Sequence, residues 1–234
     1  MRVRLAMPPK ILQKNRQFTL KLPRRAAFGK EEFFVSSCNS RAVDWIDRWP
    51  KWPLHGLVIC GPPGSGKTHL SAVWQARSNA AGFKGNEILQ GLEVLLNNES
   101  LKSCFVDDAD CADQEILFHI FNCVVSRGGQ LVVTAVEPPA RWVQGLPDLV
   151  SRLKTLPVTQ IERPNDEMLQ VVLMKMFSDR QLTVSLDVLT YIIVRMDRSF
   201  DSARYVVETL DVASLSYQRA ITIPFVREVF KEWT

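Results

Sequence analysis

The chain has 234 residues, 46% of them apolar and 23% charged. That length allows one large α/β domain, or a medium domain plus a small one, with core enough to need no disulfide staple. Lysine and arginine number 29 against 25 aspartates and glutamates, a formal charge of +4 that would by itself suggest nucleic acid. The excess is confined to one place. Residues 1–30 hold nine basic side chains and no acidic one, so the remainder carries 20 basic and 25 acidic groups and is mildly acidic. No run approaches the ~18–20 apolar residues of a membrane span. The N-terminus has no apolar core of a secretory signal. The five cysteines show no CxxC or Cys/His spacing. They read as reduced thiols of a cytoplasmic protein, with Cys60 and Cys104 in apolar core runs.

Residues 1–30 read as a basic, poorly ordered arm. From Arg41 to Trp49 the apolar residues fall near helical spacing, until Pro50 and Pro53 break the pattern. Leu57–Cys60 is a short apolar run ending at Gly61, as in a buried parallel strand. A helix is expected from Lys67 to about Ala81, then a weak strand at Glu87–Leu89. A clear strand follows from Leu101 to Val106, ending in Asp107 and Asp108. Ile116–Val125 reads as a helix, Leu131–Thr134 as a third strand, and Val158–Ile161 as a fourth. Apolar strands alternating with helices predict a parallel sheet covered on both faces.

After Pro164 the period becomes helical. Met168, Leu169, Val172, Leu173, Met176 and Phe177 share one face. Val188, Leu189, Ile192, Ile193 and Met196 share another, and Ala203, Val206, Val207 and Leu210 a third. Pro224 opens a fourth helix. The expected organisation is an arm over 1–30, an α/β domain over 31–163 and a small all-helical domain over 164–234. Four of the six methionines fall in the last, where flexible core filling is the expected role.

The sharpest motif is Gly61, Pro62, Pro63, Gly64, Ser65, Gly66, Lys67 and Thr68, which fits GxxxxGK[ST]. Glycines let backbone N–H groups curl around phosphate oxygens, and the following helix presents its N-terminus to the anion. Lys67 would reach the β- and γ-phosphates and the Thr68 hydroxyl would ligate Mg²⁺. Asp107, at the end of an apolar strand, would hold the metal. Asp108 would orient or deprotonate the attacking water. Thr134 ends the next strand, where a polar side chain can sit near the γ-phosphate. On spacing alone Arg152, after a helix-breaking Pro147, reads as a surface residue. Trp45, Trp49 and Trp52 near Arg48 and Lys51 could stack on bases but are expected to pack a helix on the sheet.

GPPGSGKTHL, CFVDD, FHIFNCVVSRGGQLVVTA, DLVSRL and the helical tail together resemble the AAA+ module of the replication initiator DnaA, over about residues 30–234. The resemblance implies an AAA+ P-loop domain followed by a helical lid. It also implies ATP or ADP with Mg²⁺ at Gly61–Thr68 and His69. The leader Gln17, Phe18, Thr19, Leu20, Lys21, Leu22 and Pro23 is similar to the sliding-clamp peptide QLxLxL, with Lys21 where many members carry Pro. Short DnaA-like proteins with such a leader form the Hda family, which carries out regulatory inactivation of DnaA. DRQLTV, MDRSF, LDVASL and RAITIPFVREV resemble that family in its alphaproteobacterial form.

Membership implies a negative regulator of replication initiation, acting chiefly as the activator of a partner ATPase. Gln17, Phe18, Leu20 and Leu22 would dock on the DNA polymerase III β clamp loaded on DNA. Arg152 would act as an arginine finger on ATP bound to DnaA. DNA would be met mainly through the clamp, and a homo-oligomer is allowed. Thr134 is followed by Ala135 and Val136 where DnaA-like chains carry Ser/Gly-Asp. Intrinsic hydrolysis is therefore expected to be weak or absent. In the lid, Asp201 falls in the sensor-arginine column, and Arg204 is the nearby helical arginine assigned to the nucleotide. The alternative reading is a DNA-binding AAA+ ATPase of the helicase-loader or transposition-helper type, marked by appreciable DNA affinity without a clamp and a steep salt dependence.

Overall fold

The computed structural model describes residues 24–25, 33–142 and 145–231. The leader residues Gln17, Phe18, Leu20 and Leu22 lie outside them. Short strands β1 (Arg24–Arg25) and β2 (Phe33–Phe34) pair antiparallel. Helix α1 (Ser40–Arg48) follows. The central strand β3 (Gly56–Cys60) runs into the glycine-rich loop and helix α2 (Lys67–Ser78). Then come β4 (Ala81–Lys84), α3 (Ile88–Leu96), β5 (Cys104–Asp107), α4 (Gln114–Ser126), β6 (Leu131–Ala135), α5 (Pro147–Leu153) and β7 (Val158–Gln160). The five longer strands form a parallel sheet of order β4-β5-β6-β3-β7.

All five residues of β3 and of β6 are buried. Side chains alternate between faces along a strand. Leu57, Ile59, Phe105 and Val132 therefore pack with Ala42, Ile46, Leu70 and Trp74 of α1 and α2. Val58, Cys60, Cys104, Val106 and Val133 pack with Leu95, Leu117, Ile120 and Leu149 of α3, α4 and α5. The three-layer arrangement follows from strands apolar on both faces. Trp52 stacks on Trp74 with ring centroids 5.7 Å apart, and its Nε1 donates to Trp45 O. Trp49 Nε1 donates to Gln130 Oε1. Trp49 and Trp52 thus anchor α1 and the segment after it to the sheet.

Four local expectations are corrected. The strand expected at Glu87–Leu89 is instead a short 3₁₀ turn leading into α3, and the strand lies earlier, at Ala81–Lys84. Helix α2 stops at Ser78, not near Ala81, because Asn79 takes a left-handed conformation (φ 54°). The following half-buried strand carries Gly82, where an added Cβ would lie 2.4 Å from the Phe105 ring. Pro147 begins α5 rather than breaking a helix, since the first turn needs no N–H from it. Strand β5 also starts later than expected, at Cys104.

The described residues divide into two compact units at Glu162 and Arg163. The second is built from α6 (Asp166–Asp179), α7 (Leu186–Ile193), α8 (Phe200–Tyr217) and α9 (Ile223–Val229). Asn165, Ser199 and Thr222 cap α6, α8 and α9 by accepting from N–H groups of the first turn. Leu169, Phe177, Leu189, Val207, Phe225 and Phe230 meet in its core, with Met174 and Met176 packed at its margin. The methionines fill core space here, as their spacing predicts. Among the described residues no helix is long and apolar enough to cross a membrane.

Candidate functional site

The loop between β3 and α2 lies at the C-terminal end of the central strand. Gly64 (φ 66°) and Gly66 (φ 94°) occupy the left-handed region, where L side chains are strained. Gly61 is held tightly against the chain after β7, so that an added Cβ would lie 2.4 Å from Ile161 O. Helix α2 begins at Lys67 with no side-chain cap, leaving its first N–H groups directed at the loop. Lys67 is buried, and its Nζ donates to Gly61 O (2.8 Å) and Pro62 O (3.2 Å). Ser65 is buried with no hydrogen-bond partner for its Oγ among the described residues. A positive curl of backbone, a buried ammonium and an orphan hydroxyl suit a phosphate chain.

Asp107 is the hub of the cluster. Its Oδ2 accepts from Thr68 Oγ1 (2.7 Å) and its Oδ1 from Thr134 Oγ1 (2.6 Å). Thr134 Oγ1 in turn accepts from Asp108 N–H (2.9 Å). The loop, β5 and β6 are tied by one buried carboxylate. The Thr68 hydroxyl beside Asp107 supplies the hard oxygen donors that Mg²⁺ prefers. Half-buried His69 continues the first turn of α2.

Asp108 is exposed and takes a left-handed conformation (φ 51°). Its carboxyl sits above the usual range because of partial desolvation, then the carboxylates of Asp107 and Asp110, with Lys67 opposing. An acid raised in the fold costs stability when ionised, and the cost disappears as pH falls through the carboxylate range. Asp108→Asn is therefore expected to stabilise at neutral pH by a few tenths of a kcal/mol. Asn suits the backbone conformation. Thermal unfolding should show this gain at neutral pH and none near about pH 3.

One residue of the cluster was missed from sequence. Asp110 Oδ2 accepts from Val136 N–H (2.8 Å), so a carboxylate from the turn after β5 occupies the end of β6. The signal available was the missing acid after Thr134. With Glu137, Asp110 also helps push up the thiol of Cys60, whose burial is the main cause of a pKa of about 12. Cys104 is raised by burial as well. Both are inert core thiols.

Arg152 is placed elsewhere. It is exposed on α5, where Nη1 donates to Asn122 Oδ1 (3.0 Å) and the guanidinium lies 5.0 Å from the Phe118 ring centroid. Among the described residues its side chain meets α4 and not the loop. In the second unit, Arg204 lies on α8 within 3.5 Å of Asp201 Oδ1, whereas Arg198 makes a two-pronged bond to Asp166.

Residues 166–230 match the family model for the lid domain of Hda. The fold as a whole is similar to domain III of the Thermotoga maritima replication initiator DnaA. That match has a TM-score of 0.73 and 20% identity, covering 86% of this chain and 94% of the other. The chain thus has a fold like that of DnaA domain III and, over residues 166–230, a lid of the Hda type. AMPPCP-bound DnaA from Aquifex aeolicus also matches, with a TM-score of 0.64 and 17% identity. The match covers 77% of this chain but 63% of that longer one. Thermotoga maritima RuvB matches at a TM-score of 0.68 and 13% identity, covering 83% and 68%. The parallel sheet with its helical lid is thus the AAA+ architecture.

Proposed function

We propose that this DnaA-like chain is a negative regulator of replication initiation that switches partner DnaA from its ATP to its ADP form. The match of residues 166–230 to the Hda lid, on a DnaA-like fold, carries the reading. Gly61–Thr68 would bind ATP or ADP, with Thr68 and Asp107 holding Mg²⁺. The bound metal would neutralise phosphate charge. Lys67 would meet the phosphates, Asp107 would orient the Thr68 hydroxyl, and Asp108 would face water at the mouth of the site. Arg204 would serve as the lid's nucleotide-sensing arginine. The leader peptide at Gln17–Leu22 would hold the chain on a DNA-loaded sliding clamp. Arg152, exposed and held among the described residues by Asn122 and Phe118, would reach outward to a nucleotide held by another protein.

The deciding assay measures hydrolysis of DnaA-bound ATP with the full chain, clamp and DNA, singly and together. Stimulation is expected only when all are present, and Gln17→Ala should weaken it by reducing clamp binding. No stimulation at any clamp loading would overturn the reading.

A further inference from the structure

Within the lid, Arg180, Arg198, Arg204 and Arg219 each lie within 3.5 Å of a carboxylate oxygen. Arg195 and Arg227 break this pattern. The Arg195 guanidinium stacks 3.6 Å from the Tyr191 ring centroid and donates to Tyr191 O at 3.1 Å. Arg227 Nε approaches the Tyr191 hydroxyl at 3.5 Å. Two exposed guanidiniums, one from the turn after α7 and one from α9, thus converge on one half-buried tyrosine of α7. Neither has a carboxylate within ion-pairing distance among the described residues. Exposed Lys231 lies one turn beyond Arg227, so the cationic face continues past α9.

Bringing like charges onto one ring is unfavourable unless an anion joins them. Each guanidinium retains donors in the planar fork that matches phosphate oxygens. The surface is open, built from exposed positions on α9 and in the turns after α7 and α9, which suits an extended polyanion better than an enclosed small anion. We propose that the α7–α9 face of the lid contacts the phosphate backbone of duplex DNA through Arg195 and Arg227, with Lys231 at its edge. The contact is sequence-independent, because cations on phosphates fix position without reading bases. Two or three such contacts give weak binding alone. They become effective when something else holds the chain beside the duplex. This contact uses none of the residues assigned to the nucleotide, nor Arg152.

The test is fluorescence anisotropy of a labelled duplex with the full chain, at several salt concentrations, without clamp, DnaA or nucleotide. Arg195→Gln with Arg227→Gln should lower affinity on the order of tenfold or more at low salt. The slope of log affinity against log salt should become shallower by about 2. The paired Lys variants, which keep both charges, should retain the wild-type slope. An unchanged slope in the Gln pair would overturn the proposal. So would an equal loss in the Lys pair, or poly-glutamate binding that depends on the two arginines while duplex binding does not. Because no DnaA is present, failure here leaves the regulator reading to its own assay.

Discussion

Arg152→Ala is expected to abolish stimulation of hydrolysis on DnaA, a loss of 10³-fold or more, while this chain's own nucleotide affinity and thermal midpoint stay unchanged. The size follows from what a trans guanidinium supplies, namely a positive charge at the transferring phosphate worth 10³–10⁵ in rate. The selectivity follows from its surroundings. Arg152 is exposed, one nitrogen bonds Asn122, and its plane lies near Phe118. A surface arginine held by one neutral hydrogen bond and a cation–π contact contributes little to stability. The core of α5 rests on Leu149 and Leu153, both fully buried and both untouched by the substitution. Arg152→Lys separates charge from shape, since an ammonium lacks the planar fork and should recover only part of the rate. Single-turnover hydrolysis, beside nucleotide titration of the variant, checks both halves. A variant that stimulates as well as wild type would remove Arg152 from the reaction.

The second large effect is expected at the loop. Lys67→Ala should weaken binding of ATP and ADP on the order of 100-fold, because removing a buried charged donor costs a few kcal/mol. Lys67 Nζ holds the carbonyls of Gly61 and Pro62, so its loss also loosens the curl that directs the loop's N–H groups. Lys67→Arg is not a rescue. The larger head must fit beside Gly61, where the chain after β7 already leaves no room for a Cβ. Equilibrium titration with a fluorescent nucleotide gives the affinity, and circular dichroism confirms the fold. Near-wild-type affinity in Lys67→Ala would exclude this loop as the phosphate site.

How far the sequence could be read varied with the physics behind each feature. The central strands and the lid helices were legible because burial on both faces, or on one stripe, leaves a direct pattern. Strand β4 was hidden because it is short and half-buried, and its Gly82 answers to Phe105 of a neighbouring strand rather than to its own neighbours in sequence. The end of α2 depended on Asn79 entering the left-handed region, which composition near Ala80 and Ala81 does not announce. In the site, Thr68, Asp107 and Thr134 could be named one by one from motif and strand ends. Their union on a single carboxylate could not, because the register of β5 and β6 decides it. Asp110 belongs to no motif and to no strand end. It reaches Val136 only through the turn that follows β5.

The direction of the hydrogen bonds around Asp107 carries a consequence for Thr134. A threonine hydroxyl has one proton and two lone pairs. Thr134 gives its proton to Asp107 and accepts from the Asp108 amide. It therefore has no proton left to offer a phosphate oxygen in this arrangement. Thr68 also points its proton at Asp107, which leaves its lone pairs free to face a cation. The two threonines look alike in sequence yet differ in polarity. Thr68 is oriented as a ligand would be, and Thr134 is a strut that sets where the Asp108 backbone stands.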